Sequence, residues 1–144
     1  MNFEMKTSVH LIASLILSAL LYPLFEWKVL LILISGVLID VDHYFWYIYK
    51  YRKINIFESY KFFIKPMDEK DFKSVMGILL IFHTVEFLTI MIVLSYFNKF
   101  ILIFTIGLFL HYALDLIYLY FVAERFILNH SIIYWICKKR IQKL

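Results

Sequence analysis

Eight ionisable side chains lie within or at the ends of otherwise apolar runs: His10, Asp40, Asp42, His43, His83, Glu86, His111 and Asp115. Three of them crowd into "GVLIDVDHYFWY", residues 36–47. Hydrocarbon is a poor place for any such group, so each must be paired, bound to something, or set at a water boundary. The spacings are those of shared helix faces. Asp40 and His43 stand three apart, as do His83 and Glu86, while His111 and Asp115 stand four apart. Imidazole nitrogens and carboxylate oxygens turned inward from several helices suit a divalent cation, Zn²⁺ first and Mn²⁺ or Fe²⁺ after it, better than Cu⁺, which prefers sulfur. Four His and four acids exceed one tetrahedral ion's needs, which leaves room for a second ion or for carboxylates that orient the imidazoles. Glu86 or Asp42 is the expected proton acceptor from a bound water. His130, in "LNHSII", is a further candidate ligand.

Other chemistries fit the same residues less completely. A metal-free salt bridge needs a cation within the spans, and neither Lys nor Arg occurs between Lys73 and Lys99 or between Lys99 and Arg125. His–carboxylate pairing without metal stays open. A bis-imidazole haem on His83 and His111 leaves the acids unexplained. Asp42 also reads as a helix-end cap facing water. With Cys137 as the only cysteine, neither an internal disulfide nor a thiolate cluster is available.

The elements that must carry these residues are helices in a membrane. The 144 residues are 63% hydrophobic, 20% aromatic and 18% charged, against about 25% charged in soluble domains. Mean hydropathy is +0.80. Four apolar segments of roughly membrane-crossing length run over 8–25, 27–43 (with an extension to 49 open), 73–97 and 100–123. The first is read as a retained helix rather than a signal peptide. A single all-α domain over 1–144 is expected: a polytopic four-helix membrane bundle with a cytoplasmic loop and a C-terminal interfacial helix. Seven Lys/Arg between Lys50 and Lys73 and four after Cys137, against Lys28 and Lys99 in the opposite turns, place both termini and the long loop in the cytoplasm. In that topology all eight polar residues fall in the cytoplasmic half. The +4 net charge flanks apolar segments and points to anionic lipid headgroups, not nucleic acid.

"VH" at His10, "GVLIDVDH" from Gly36 to His43 and "HYALD" from His111 to Asp115 together resemble the YdjM-like membrane-bound metal-dependent hydrolases, a family likened to zinc-dependent phospholipase C and P1-type nucleases. The resemblance covers nearly the whole chain in scattered short elements. It implies that His10, Asp40, His43, His111 and Asp115 are metal ligands and that Asp42 is a ligand or orients one. Ile39 stands where that family usually has Pro, and "FHTVEF" replaces its Arg-Gly-x-x-His-Ser element, with His83-Thr84 the nearest match.

The leading expectation is therefore a membrane-embedded metal-dependent hydrolase acting on a phosphoester of a lipid. One rival is a metal-ion or proton transport protein, for which homodimerisation would make up a shortage of helices. The other is a structural or regulatory bundle with a polar core. The outer stretches "LILSALL", "LTIMIVL" and "ILIFTIG" hold only Ser18, Thr89 and Thr105 as polar groups, which argues against a path through the membrane.

Overall fold

A computed structural model describes residues 7–69, 74, 75, 77–121 and 130–141. The elements they form are all helical, with no strand among the described residues. Helix α1 spans Thr7–Phe25 and α2 spans Leu30–Val37, joined by a 3-10 turn at Glu26–Val29. A second 3-10 turn, Leu38–Asp40, leads into α3, Val41–Tyr51. Then come α4 at Ile56–Glu69, α5 at Val85–Ser95, α6 at Lys99–Phe121 and α7 at Ile132–Ile141.

The segments depart from four uninterrupted spans. Among the described residues one helix, α6 over Lys99–Tyr118, is long and apolar enough to cross a membrane. The expected span 8–25 coincides with α1. The span expected over 27–43 is instead the short α2 flanked by two 3-10 turns. The span expected over 73–97 begins outside the described residues and is helical only from Val85, after a 3-10 turn at Ile81–His83. The reason is local. Thr84 is extended (φ −101°, ψ 148°), and its Oγ1 accepts from the Phe87 N–H at 3.3 Å, so it caps a new helix. The last two residues of the expected span 100–123 also lie outside the described residues.

The polar stretch expected as a loop folds as α4. Arg52 ends α3 in the left-handed conformation (φ 56°), its N–H donating to Ile48 O at 2.8 Å. Asn55 starts α4 by accepting from the N–H groups of Phe57 and Glu58 at 3.0 and 3.2 Å. The Lys53 ammonium donates to Glu58 at 3.0 Å, holding that carboxyl below its ordinary value and the ammonium above its own. Phe63 of α4 then packs with Tyr47, Val75, Ile78 and Leu80.

Helix α2 packs against α1 and α6, and α6 also carries α5. The buried residues of α1 are His10, Ser14 and Ser18, one turn apart, while Leu11, Ile12, Ile16 and Leu20 face outward. Small residues hold the helices close. A Cβ on Gly107 would come within 2.5 Å of Ile32 O and 2.8 Å of Ile32 Cα, and one on Gly36 would come within 2.1 Å of Ser14 Oγ. Ser35 Oγ donates to Leu31 O at 2.9 Å and Ser18 Oγ to Val29 O at 3.3 Å, so these hydroxyls lie in the seam without being left unpaired.

Candidate metal centre

Two imidazoles meet at the middle of the site. His111, on α6, is 1% exposed, and its Nδ1 lies 3.0 Å from Gly36 O. A carbonyl only accepts, so Nδ1 carries a proton, and in the neutral ring Nε2 then carries the lone pair. His83 arrives on the 3-10 turn before α5, and its Nδ1 lies 3.1 Å from Asp42 Oδ2. A carboxylate there sets the same tautomer. The two Nε2 atoms are 3.1 Å apart. Two lone pairs at that separation repel unless something positive sits between them.

Carboxylate oxygens flank the pair. Asp40 Oδ1 lies 3.3 Å from His83 Nε2 and 3.4 Å from His111 Nε2. Donors about 2.0–2.1 Å from a tetrahedral ion lie roughly 3.3–3.4 Å from one another, so this triangle is one open face of such a site. Asp115 Oδ2 closes a second triangle on the same nitrogens, at 3.6 and 3.3 Å. A single proton would serve only one of these contacts, whereas a divalent cation serves them together. The site holds the carboxylates of Asp40, Asp42 and Asp115, and no described Lys or Arg pairs with them; their ion-pair partners are the four histidines.

His10 stacks on His111 with ring centroids 4.1 Å apart, and its Nε2 lies 3.4 Å from Asp115 Oδ1. Its buried Nδ1 meets no hydrogen-bond partner among the described residues. His43 Nδ1 lies 3.0 Å from Asp42 Oδ1 and 3.5 Å from Asp40 Oδ1. Three sets of donor atoms are thus compact enough to hold an ion: His10/His111/Asp115, Asp40/His83/His111 and Asp42/His43/His83.

Asp42 is held from three sides. Besides the two imidazoles, the Phe82 N–H donates to its Oδ2 at 3.0 Å. This carboxylate orients His83 and His43 and ties the interrupted segment before α5 to α3. Tyr112 braces the same segment from α6, its hydroxyl 2.6 Å from Phe82 O and 2.8 Å from Thr84 O. Gly36 O and Tyr112 are the positioning groups that sequence reasoning missed. A main-chain carbonyl leaves no signature in the sequence, and Tyr112 was hidden inside "HYALD".

Glu86 is placed elsewhere than expected for a proton acceptor. Ser131 Oγ donates to it at 2.6 Å, and the N–H groups of Ile132 and Ile133 donate at 3.1 and 3.2 Å, so it anchors the N-terminus of α7. His130 lies outside the three donor sets. Its carbonyl accepts from the Val85 N–H at 2.8 Å, its ring bonds the His83 backbone, and burial pushes it below its ordinary pKa.

A cavity of about 560 Å³ opens onto the centre. His10, Asp40, His43, His83 and Asp115 form its polar end, and Val37, Leu38, Val41, Phe63 and Ile64 form much of its wall. The side chains of Asp40 and Asp115 are 35% and 20% exposed, against 1–4% for His10, His83 and His111, so the carboxylates are the more open edge of the cluster. Comparison with protein-family models, curated proteins and solved structures finds no match for this chain.

Proposed function

We propose that this chain is a multi-pass membrane protein that hydrolyses a phosphoester of a lipid with a bound divalent metal, Zn²⁺ before Mn²⁺ or Fe²⁺. The observation that carries the metal is the pair of Nε2 atoms 3.1 Å apart, each on a ring whose Nδ1 faces an oxygen acceptor, with Asp40 Oδ1 beside both. The membrane reading is supported by inverted burial. His10, Ser14 and Ser18 face inward on α1, while Leu11, Ile12, Leu15, Ile16 and Leu20 face outward. The interruptions at Leu38–Asp40 and Ile81–His83 suit that reading too, because non-helical backbone at membrane depth is tolerated where it lines a polar cavity. The basic segments then put both termini and α7 at the cytoplasmic face, against anionic headgroups. The resemblance to the YdjM-like hydrolases points the same way.

His83, His111 and Asp40 would hold the cation, with Asp115 completing or alternating in that set and His10 behind it. The chemistry such an ion would supply is Lewis acidity, toward a water and a phosphoryl oxygen. Asp115 lines the cavity and, when not bound to the ion, would be the carboxylate that accepts a proton there, since Asp42 is committed to two imidazoles and Glu86 to α7. Asp42 fixes the tautomer of His83, and Gly36 O fixes that of His111.

Elemental mass spectrometry on protein purified in mild detergent, untagged and without chelator, tests this. Wild type should carry Zn, Mn or Fe, lost in both His111→Ala and Asp40→Ala, and should then hydrolyse a phospholipid or an isoprenoid phosphate. Folded wild type that takes up none of these ions refutes the hydrolase. Ion transport is the second reading, favoured by the two interrupted segments, because half-helices at a midplane site are also how transporters hold ions. Metal-dependent ion flux in proteoliposomes without hydrolysis would select it.

A further inference from the structure

The cavity says more about the substrate than that it is a lipid. Its polar end is acidic and histidine-rich, and among the described residues no Lys or Arg lines it. A large anionic headgroup would therefore find no cationic side chain among these residues to support it beside the bound cation. Much of the rest of the wall is apolar, running from Val37, Leu38 and Val41 across to Phe63 and Ile64 of α4. The apolar rim is itself exposed: Leu38 at 61%, Val41 at 40% and Ile56 at 58%. The mouth thus opens sideways onto the outward apolar surface, where a chain can slide in from a bilayer leaflet.

Size limits what enters. At about 30 Å³ each, the liquid volume of a water and close to that of a methylene, the 560 Å³ hold on the order of twenty non-hydrogen atoms. That accommodates one chain of a dozen or so carbons and a phosphate-sized group. Two acyl chains do not fit.

Resting on the metal-hydrolase reading, we propose that the substrate is a single-chain amphiphile, an alkyl, prenyl or lysolipid-type phosphoester. Its chain lies between α2–α3 and α4, and its small head lies against Asp40, His83 and Asp115. Helix α4 is the specificity wall. Ser59, 3% exposed, lines the cavity from α4 near Phe63, so a larger side chain there shortens the space available to the chain.

Photo-crosslinking in lipid nanodiscs tests the assignment, using hexadecyl phosphate with a diazirine midway along its chain beside a diacyl phosphatidate carrying the same label. Both probes are run with zinc and with chelator. The single-chain probe should mark peptides covering 37–44 and 56–64, and the diacyl probe should not. Ser59→Phe should cut that labelling by about tenfold or more, the scale of a lost pocket contact. Leu38→Trp, an exposed rim substitution that leaves packing intact, should reduce it as well. Equal labelling of those peptides by both probes, or labelling spread over the outward faces of α1 and α5, overturns the single-chain assignment. Metal content is read separately. Absence of metal overturns the hydrolase, and chain labelling in chelator still reads the cavity.

Discussion

Asp42→Asn isolates the carboxylate that orients the site from those that would touch a bound metal. Asp42 Oδ2 accepts from His83 Nδ1 at 3.1 Å and from the Phe82 N–H at 3.0 Å, and Oδ1 faces His43 Nδ1 at 3.0 Å. Asparagine keeps the shape and can leave its oxygen toward His83 and Phe82. Its NH₂ group then faces a nitrogen that must turn acceptor, and the remaining bonds lose their charge assistance. Charged-group hydrogen bonds contribute about 1.5–3 kcal/mol and neutral ones about 0.5–1.5, so the two imidazoles together lose about 2 kcal/mol of orientation. At about 1.4 kcal/mol per decade, metal affinity should fall by roughly 10–100-fold, the range found for partners of metal-bound histidines. Asp40→Asn, which alters a direct donor, should lose more. Zinc competition against a chromophoric chelator, in the same detergent for both variants, measures the difference. Unchanged affinity in Asp42→Asn, or a loss as large as that of Asp40→Asn, would refute the separation into orienting and binding carboxylates.

Two further outcomes follow from the packing. Gly107→Ala drives its Cβ against the Ile32 backbone and should cost about 1–3 kcal/mol, as overpacking does, whereas Gly36→Ala meets a rotatable serine hydroxyl and should cost less. Thermal unfolding in detergent should rank them so, with Ser14→Gly rescuing Gly36→Ala. Glu86→Ala should release α7, seen as new proteolytic cleavage near Ser131–Ile141, while metal content stays at the wild-type level; metal loss would return Glu86 to the site.

The chemistry was more legible than the path of the backbone. His111 and Asp115 were expected to share a face four residues apart, and their atoms do approach to 3.3 Å. Asp40 and His43 likewise approach to 3.5 Å. His83 and Glu86 failed the same arithmetic because Thr84 starts a helix between them, leaving His83 on a turn toward α3 and Glu86 on the first turn of α5 toward α7. Hydropathy averages across such a break without registering it, since "GILLIFHTVEFL" is equally apolar on both sides. Helix α4 did carry a local signal, the Asn55-x-x-Glu58 capping pair, but seven basic residues around it read as a loop. The Gly36 carbonyl was beyond reach, because its part depends on where α6 lies.

The seam of Ser14, Gly36 and Gly107 has a consequence for how this protein tolerates change. The depth at which His111 meets Gly36 O is set by side chains that are missing, so a methyl group there displaces the centre as effectively as deleting a donor. A deep mutational map would then show two intolerant sets with nothing chemical in common, one rich in histidine and aspartate, the other in the smallest residues of the chain. The outward leucines and isoleucines between them would exchange freely among themselves.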